Sequence, residues 1–305
     1  IISIQAASVA LISIVALVKG YSVDRLYGVL GGIYSNSNDL AFAIVLSLPL
    51  ALALLLTSKS SWAKAAWVLG MLAMGAALMR TASRAGFIDL MISGTVCLWH
   101  FGVKGRRLYL VPAAALIGVV LLAATGGTLR ERMGIFGEDG ASRQEAAASL
   151  EERKLLMGKA LDAIQRYPVL GIGADNFVEY SGLWLEVHTA YLQMAVEGGI
   201  PALILYLLFF YRGFVNLKRV QEAQPAGDAE LFRAALLASL IGFVVGAAFS
   251  PEAYHFFPYL TVCCSSVLAA IAATPQVRAK VRTGHRWRRF DLARPAGKQG
   301  LEVVT

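Results

Sequence analysis

Long apolar runs separated by short polar punctuation dominate the chain. Such runs fall near 2–18, 40–57, 65–82, 86–103, 108–125, 189–211, 234–250 and 257–274, each close to the roughly 20 residues a helix needs to cross a bilayer. Backbone polar groups in lipid must be satisfied within the segment, so these runs predict helices. The expected fold is all-α: a polytopic helical membrane protein with one large periplasmic loop that contains an amphipathic helix. Spans three and four are separated only by the hinge Thr81–Arg84.

Lysines and arginines in short loops set the orientation. Lys59 and Lys64, then Lys104, Arg106 and Arg107, then Arg212, Lys218, Arg219 and Arg233, alternate consistently and place those loops in the cytoplasm. Lys19 and Arg25 are a minor exception. The pattern divides the chain into transmembrane helices over 1–125, a periplasmic loop over 126–188, transmembrane helices over 189–274 and a basic cytoplasmic tail over 275–305. The chain opens inside an apolar run, Ile1 to Val18, and is expected to be a fragment with further spans upstream.

Within the loop, Ser149-Leu-Glu-Glu152 has capping-box spacing and predicts a helix with Ser149 as N-cap. Leu150, Met157, Leu161 and Ile164 form its apolar stripe, and Pro168 closes it. Arg153 sits at the edge of that stripe and leans toward whatever the helix packs on. Glu151 and Glu152 point elsewhere, and Lys154 flanks the other edge. Two glycines and an Asx pair in Gly171-Ile-Gly-Ala-Asp-Asn-Phe177 predict a tight loop, not a dinucleotide site, because no strand–helix unit surrounds them.

Composition agrees with the pattern: 57% of the 305 residues are hydrophobic and only 16% charged, with mean hydropathy +0.61. The net charge of +8 is concentrated in the tail around Arg286, Arg288 and Arg289. In so apolar a chain this reads as an anchor on anionic membrane lipids, not as a nucleic-acid site. Cys97, Cys263 and Cys264 lie in apolar spans without C-x-x-C spacing, so neither a disulfide framework nor zinc is indicated.

The polar residues at one water–lipid boundary are the candidate chemistry. Arg80 and Arg84 share one helix face if the segment stays helical, where like charges repel unless an anion compensates. Guanidinium geometry suits a phosphate. His188, at the outer end of span six, could take a proton from a hydroxyl at neutral pH. Glu197, nine residues into that span, needs a partner: an arginine, a backbone group or a substrate. Tyr191, Asn38 and Asp39 are possible supporting residues; Asn36, Asn38 and Asp39 also read simply as a helix N-cap. His255, in an outer turn, is weaker, and His100 and His285 fall on the cytoplasmic side. No D-x-D or H-x-x-x-H pattern occurs in the loop, so no metal and no cofactor is expected.

Three stretches together resemble the O-antigen ligase and O-antigen polymerase family of bacterial inner-membrane glycan enzymes. They are Tyr34-Ser-Asn-Ser-Asn-Asp-Leu-Ala41; Thr81-Ala-Ser-Arg-Ala-Gly86; and Glu152-Arg-Lys with Ala160 to Gly173 and His188-Thr-Ala-Tyr-Leu-Gln-Met-Ala-Val-Glu-Gly-Gly-Ile200. The resemblance implies an undecaprenyl-diphosphate-linked glycan donor, with Arg84 and Arg153 on the diphosphate and His188 serving the acceptor or the leaving group. It implies a metal-independent transfer at the periplasmic face, to lipid A–core in a ligase. The alternatives are a polymerase joining lipid-linked repeats, a protein O-oligosaccharyltransferase and, outside enzymes, a lipid-linked glycan transporter. The family usually carries Asn after this His; here it is Thr189.

Overall fold

The computed structural model describes residues 1–19, 26, 36–125, 140–223 and 227–274, with backbone alone at 122, 124–125 and 140–149. All regular structure among them is helical. In chain order the helices are α1 (Ile2–Lys19), α2 (Ser37–Thr57), α3 (Ser61–Thr81), α4 (Arg84–Leu98, continued by a π-turn Trp99–Lys104), α5 (Leu110–Thr125), α6 (Gly140–Arg166), α7 (Phe177–Ser181), α8 (Ala190–Glu222), α9 (Asp228–Gly246) and α10 (Phe256–Ala273). The basic tail and the first part of the loop, 126–139, lie outside the described residues.

Seven of these helices, α1–α4 and α8–α10, are long and apolar enough to cross a membrane. The eighth expected span, α5, has 16 residues. At 1.5 Å per residue it reaches about 24 Å, short of a hydrocarbon core of about 30 Å.

Helix α2 is the centre of the bundle, buried nearly all round and packed by α9, α3, α1 and α4. Small residues let the backbones approach, as membrane interfaces favour. The Ser239 hydroxyl donates to Leu46 O across α9–α2 (2.8 Å), and Ser93 donates to Ala238 O across α4–α9 (3.0 Å). Phe42, Tyr206, Phe210, Phe243 and Tyr259 form an aromatic core of edge-to-face and tilted pairs between α2, α8, α9 and α10. Leu205 and Val267 instead face outward, as lipid-facing positions should.

One end of this bundle carries the candidate residues. A Cβ on Gly86 would press on Ala41, so the starts of α4 and α2 meet. Ala190 N–H donates to Ala247 O (2.9 Å), tying the start of α8 to the end of α9. Leu121 of α5 lies against Gly75, toward the Arg80 end of α3. A second, smaller core sits at this end: Leu156, Ala160 and Ala163 of α6 pack with Phe177, Val187 and Val196.

Candidate functional site at the loop end of the bundle

Helix α6 begins well before Ser149, which therefore lies inside the helix and is not its N-cap. The preceding run Gln144-Glu-Ala-Ala-Ala148 consists of strong helix formers, and their propensity extends the helix through the capping-box signature. The buried stripe also differs from the expected one. Leu150, Met157 and Leu161 are about half exposed, whereas Leu156, Ala160 and Ala163 are buried and Ile164 partly so. Alanines, not the larger side chains, line the contact because they let α6 lie close to α8.

This docking brings Arg153 and His188 together. His188 is half-buried, and its imidazole pKa is held below the usual value first by burial and then by the positive charge of Arg153. Glu152 opposes the shift, so its charge reaches His188 instead of pointing elsewhere. The residue after the histidine caps α8: Thr189 Oγ1 accepts from Leu192 N–H (3.3 Å). A threonine thus does the capping work that an asparagine would also do. Tyr191, the second residue of α8, donates from its hydroxyl to Val244 O (2.6 Å), bracing α8 on α9.

The span expected as one helix is broken at Gly199, whose φ of 79° and ψ of 174° are non-helical. The break frees the carbonyls of Val196 and Glu197, and the loop after α6 uses them: Ile172 N–H donates to Val196 O (2.9 Å) and Gly173 N–H to Glu197 O (3.0 Å). Ile200 N–H donates back to Pro168 O (2.8 Å). A Cβ on Gly171 would collide with the Glu197 backbone, and one on Gly199 with Val169 O. The tight loop expected at 171–177 is therefore a docking element for α8. The Glu197 carboxylate is buried, and its partners are neither an arginine nor open space. It accepts from the Tyr254 hydroxyl (2.6 Å) and from Phe177 N–H (3.4 Å).

Arg80 and Arg84 are exposed at the α3–α4 boundary. They do not share a helix face as i and i+4, because Ala82 turns left-handed (φ 49°, ψ 32°) and ends α3. Ser83 then caps α4, accepting from Gly86 N–H (3.1 Å). Arg84 becomes the first residue of a new helix at the same end of the bundle as the start of α2.

Asn36 caps α2, its Oδ1 accepting from Asn38 N–H (3.0 Å). Asp39 then meets the α9–α10 turn. One ligand atom each of Asp39, Glu252 and His255 lies within 4.8 Å of the others. Glu252 is fully buried; its Oε1 accepts from Ser250 (2.8 Å), and its Oε2 lies against His255 Nδ1. Burial lowers the His255 pKa, but contact with Glu252 and the charges of Glu252, Asp39 and Glu186 outweigh it and leave the imidazole pKa raised. Glu186 is pushed up by burial and then by Asp175, Glu252 and Glu197, with His255 opposing. Carboxylates thus gather on one side of this end.

Sequence reading named Asp39 and gave His255 little weight; it passed over Glu252 and Tyr254. Their only signal was Glu252-x-x-His255 in a turn. It also missed Asp89 of α4, which is 1% exposed with neither carboxylate oxygen hydrogen-bonded.

A family model described as O-antigen ligase matches residues 69–207. This supports the O-antigen ligase/polymerase family. Members are glycosyl-transferring ligases and polymerases, and the match supports glycosyl transfer of that type. No curated protein matches the chain. The O-antigen ligase segment contains Arg80, Arg84, Arg153, His188, Tyr191 and Glu197, whereas Asn38, Asp39, Glu252 and His255 lie outside it.

Proposed function

We propose that this O-antigen ligase family chain transfers a glycan from undecaprenyl diphosphate to a hydroxyl of lipid A–core, at the periplasmic face of the bacterial inner membrane. The observation that carries the reading is the placement of Arg153 beside a half-buried His188, with pKa held low, at the end of the bundle where α4 presents Arg84. The Lys and Arg distribution supports a periplasmic position for that end.

In this mechanism the acceptor oxygen attacks the anomeric carbon while the carbon–oxygen bond to the diphosphate breaks. The electron pair leaves with the diphosphate, and the acceptor proton passes to His188. A low imidazole pKa keeps His188 neutral at physiological pH, as a base must be. Arg84 and Arg153, with Arg80 at the rim, bind the diphosphate and stabilise its growing charge; losing one such preorganised donor typically costs about 10²–10³ in rate. The donor is already activated, so no nucleotide enters. Tyr191 and Glu197 hold the first turns of α8, and Asn38 and Asp39 are supporting residues at the start of α2.

The test reconstitutes the full-length protein in proteoliposomes with an undecaprenyl-diphosphate glycan and lipid A–core, and follows transfer by gel. Glycan on the core, lost in Arg153→Ala and His188→Ala, is the expected result. Longer lipid-linked chains beside untouched core would replace the ligase reading with a polymerase. Absence of any glycan product, or full activity in both variants, would overturn the assignment.

A further inference from the structure

We propose that Asp39, Glu252 and His255 form a divalent-cation site that clamps the start of α2 to the α9–α10 turn. The three residues come from two separate parts of the chain and offer two carboxylates and one imidazole. Even at the full 4.8 Å separation, a cation at the centre of the triangle would lie about 2.8 Å from each ligand atom. Small side-chain movements close that to the bond lengths of about 2.0–2.2 Å that Zn²⁺ takes with nitrogen and oxygen.

The burial of Glu252 points independently to a ligand. It is 0% exposed, and the contact given for its Oε2 is His255 Nδ1. A buried carboxylate in that state is expensive unless a cation sits against it. His255 lies there, but the charges that reach His255 are those of Glu252, Asp39 and Glu186, all acidic. Asp39 and Glu252 also lie close enough for their side chains to interact directly. A single imidazolium cannot balance this group, whereas a doubly charged ion bound to Asp39 and Glu252 neutralises it.

The surroundings hold the ligands as outer partners do in metal sites. Ser250 fixes Glu252 Oε1 (2.8 Å). Ala253 N–H donates to Gln193 Oε1 (3.3 Å), and the Tyr259 hydroxyl donates to Ala253 O (2.6 Å), so the turn between the ligands is pinned on both sides. One nitrogen with two carboxylates suits Zn²⁺ or Mn²⁺, not Ca²⁺, which takes six to eight oxygens. The site lies outside the matched segment, and of its three ligands Asp39 alone is also among the supporting residues of the proposed transfer site.

The experiment measures binding, independently of glycan transfer. The full-length protein is stripped with chelator in detergent, dialysed against Mn²⁺ or Zn²⁺, and its metal content determined by mass spectrometry. About one ion per chain is expected, with nitrogen coupling in the Mn²⁺ electron paramagnetic resonance spectrum from His255. Glu252→Gln, His255→Ala and Asp39→Asn should each lower occupancy at least tenfold, while Glu151→Gln on the exposed face of α6 should keep it. Size-exclusion profiles identify any variant that fails to fold; Asp39→Asn, at the rim, then carries the comparison. Less than a tenth of an ion per wild-type chain, or equal occupancy in the folded variants, would overturn the site.

Discussion

Gly199→Ala tests whether the break in α8 is what seats the loop. With φ at 79° and ψ at 174°, any residue with a Cβ is strained there by about 1–3 kcal/mol. The added carbon would also strike the Val169 carbonyl, so relief requires 168–173 to lift. Lifting loses the bonds from Ile172, Gly173 and Ile200 N–H, each worth about 0.5–1.5 kcal/mol. A local destabilisation of about 3 kcal/mol or more follows, and the amides of Ile172 and Gly173 should exchange with deuterium about a hundredfold faster. Hydrogen exchange read by mass spectrometry on the detergent-solubilised protein measures this directly. Gly158→Ala, where nothing lies within 4 Å of the new Cβ, is the control and should exchange no faster than wild type. Gly171→Ala should act at the same interface, so the double variant should fall short of the sum of the two. If Gly199→Ala leaves exchange at 172–173 within threefold of wild type, the docking argument is wrong.

Other consequences are open to direct measurement. His188→Ala should lower transfer by about 10²–10⁴, read as initial rate in the proteoliposome assay. Because burial, and after it the charge of Arg153, lowers the His188 pKa, the acidic limb of the wild-type rate profile should lie below the ordinary imidazole value of about 6.5. In Arg153→Lys that limb should stay low, and in Arg153→Ala it should move up toward 6.5; an unmoved limb would separate Arg153 from the base. Tyr254→Phe removes the 2.6 Å bond to the buried Glu197 carboxylate and should cost about 1.5–3 kcal/mol, seen as a lower melting temperature. Asp89→Asn replaces a buried, unbonded carboxylate with a neutral side chain of similar shape, and should hold or raise the melting temperature.

The membrane helices were legible because lipid imposes a strong rule on composition: α2 to α4 and α8 to α10 begin or end close to where the apolar runs do. Residues fixed by their neighbours in sequence were legible too, such as Asn36 as the cap of α2. The pairing of Arg153 with the region of His188 was readable in outline, since an arginine at the edge of a loop helix has to face something. The details failed where small residues decide. Alanines at 160 and 163 set the buried face of α6, and a sequence reading gives weight to Leu161 instead. Gly199 and Ala82 break helices through left-hand φ values that hydropathy does not register. The Asp39–Glu252–His255 group was out of reach because Asp39 lies more than two hundred residues from the other two and meets them only when α2 packs on α9.

The break at Gly199 also says where this protein can be cut and joined. The turns from Ala190 to Gly198 are bonded to the loop through Ile172 and Gly173, while the helix resumes its membrane packing after Ile200. A chimera that exchanges the loop between two relatives at the boundary residue His188 would separate the loop from the wall it is bonded to. Moving the junction to Gly199 would carry that wall with it, and the transplanted unit would arrive with its own seat.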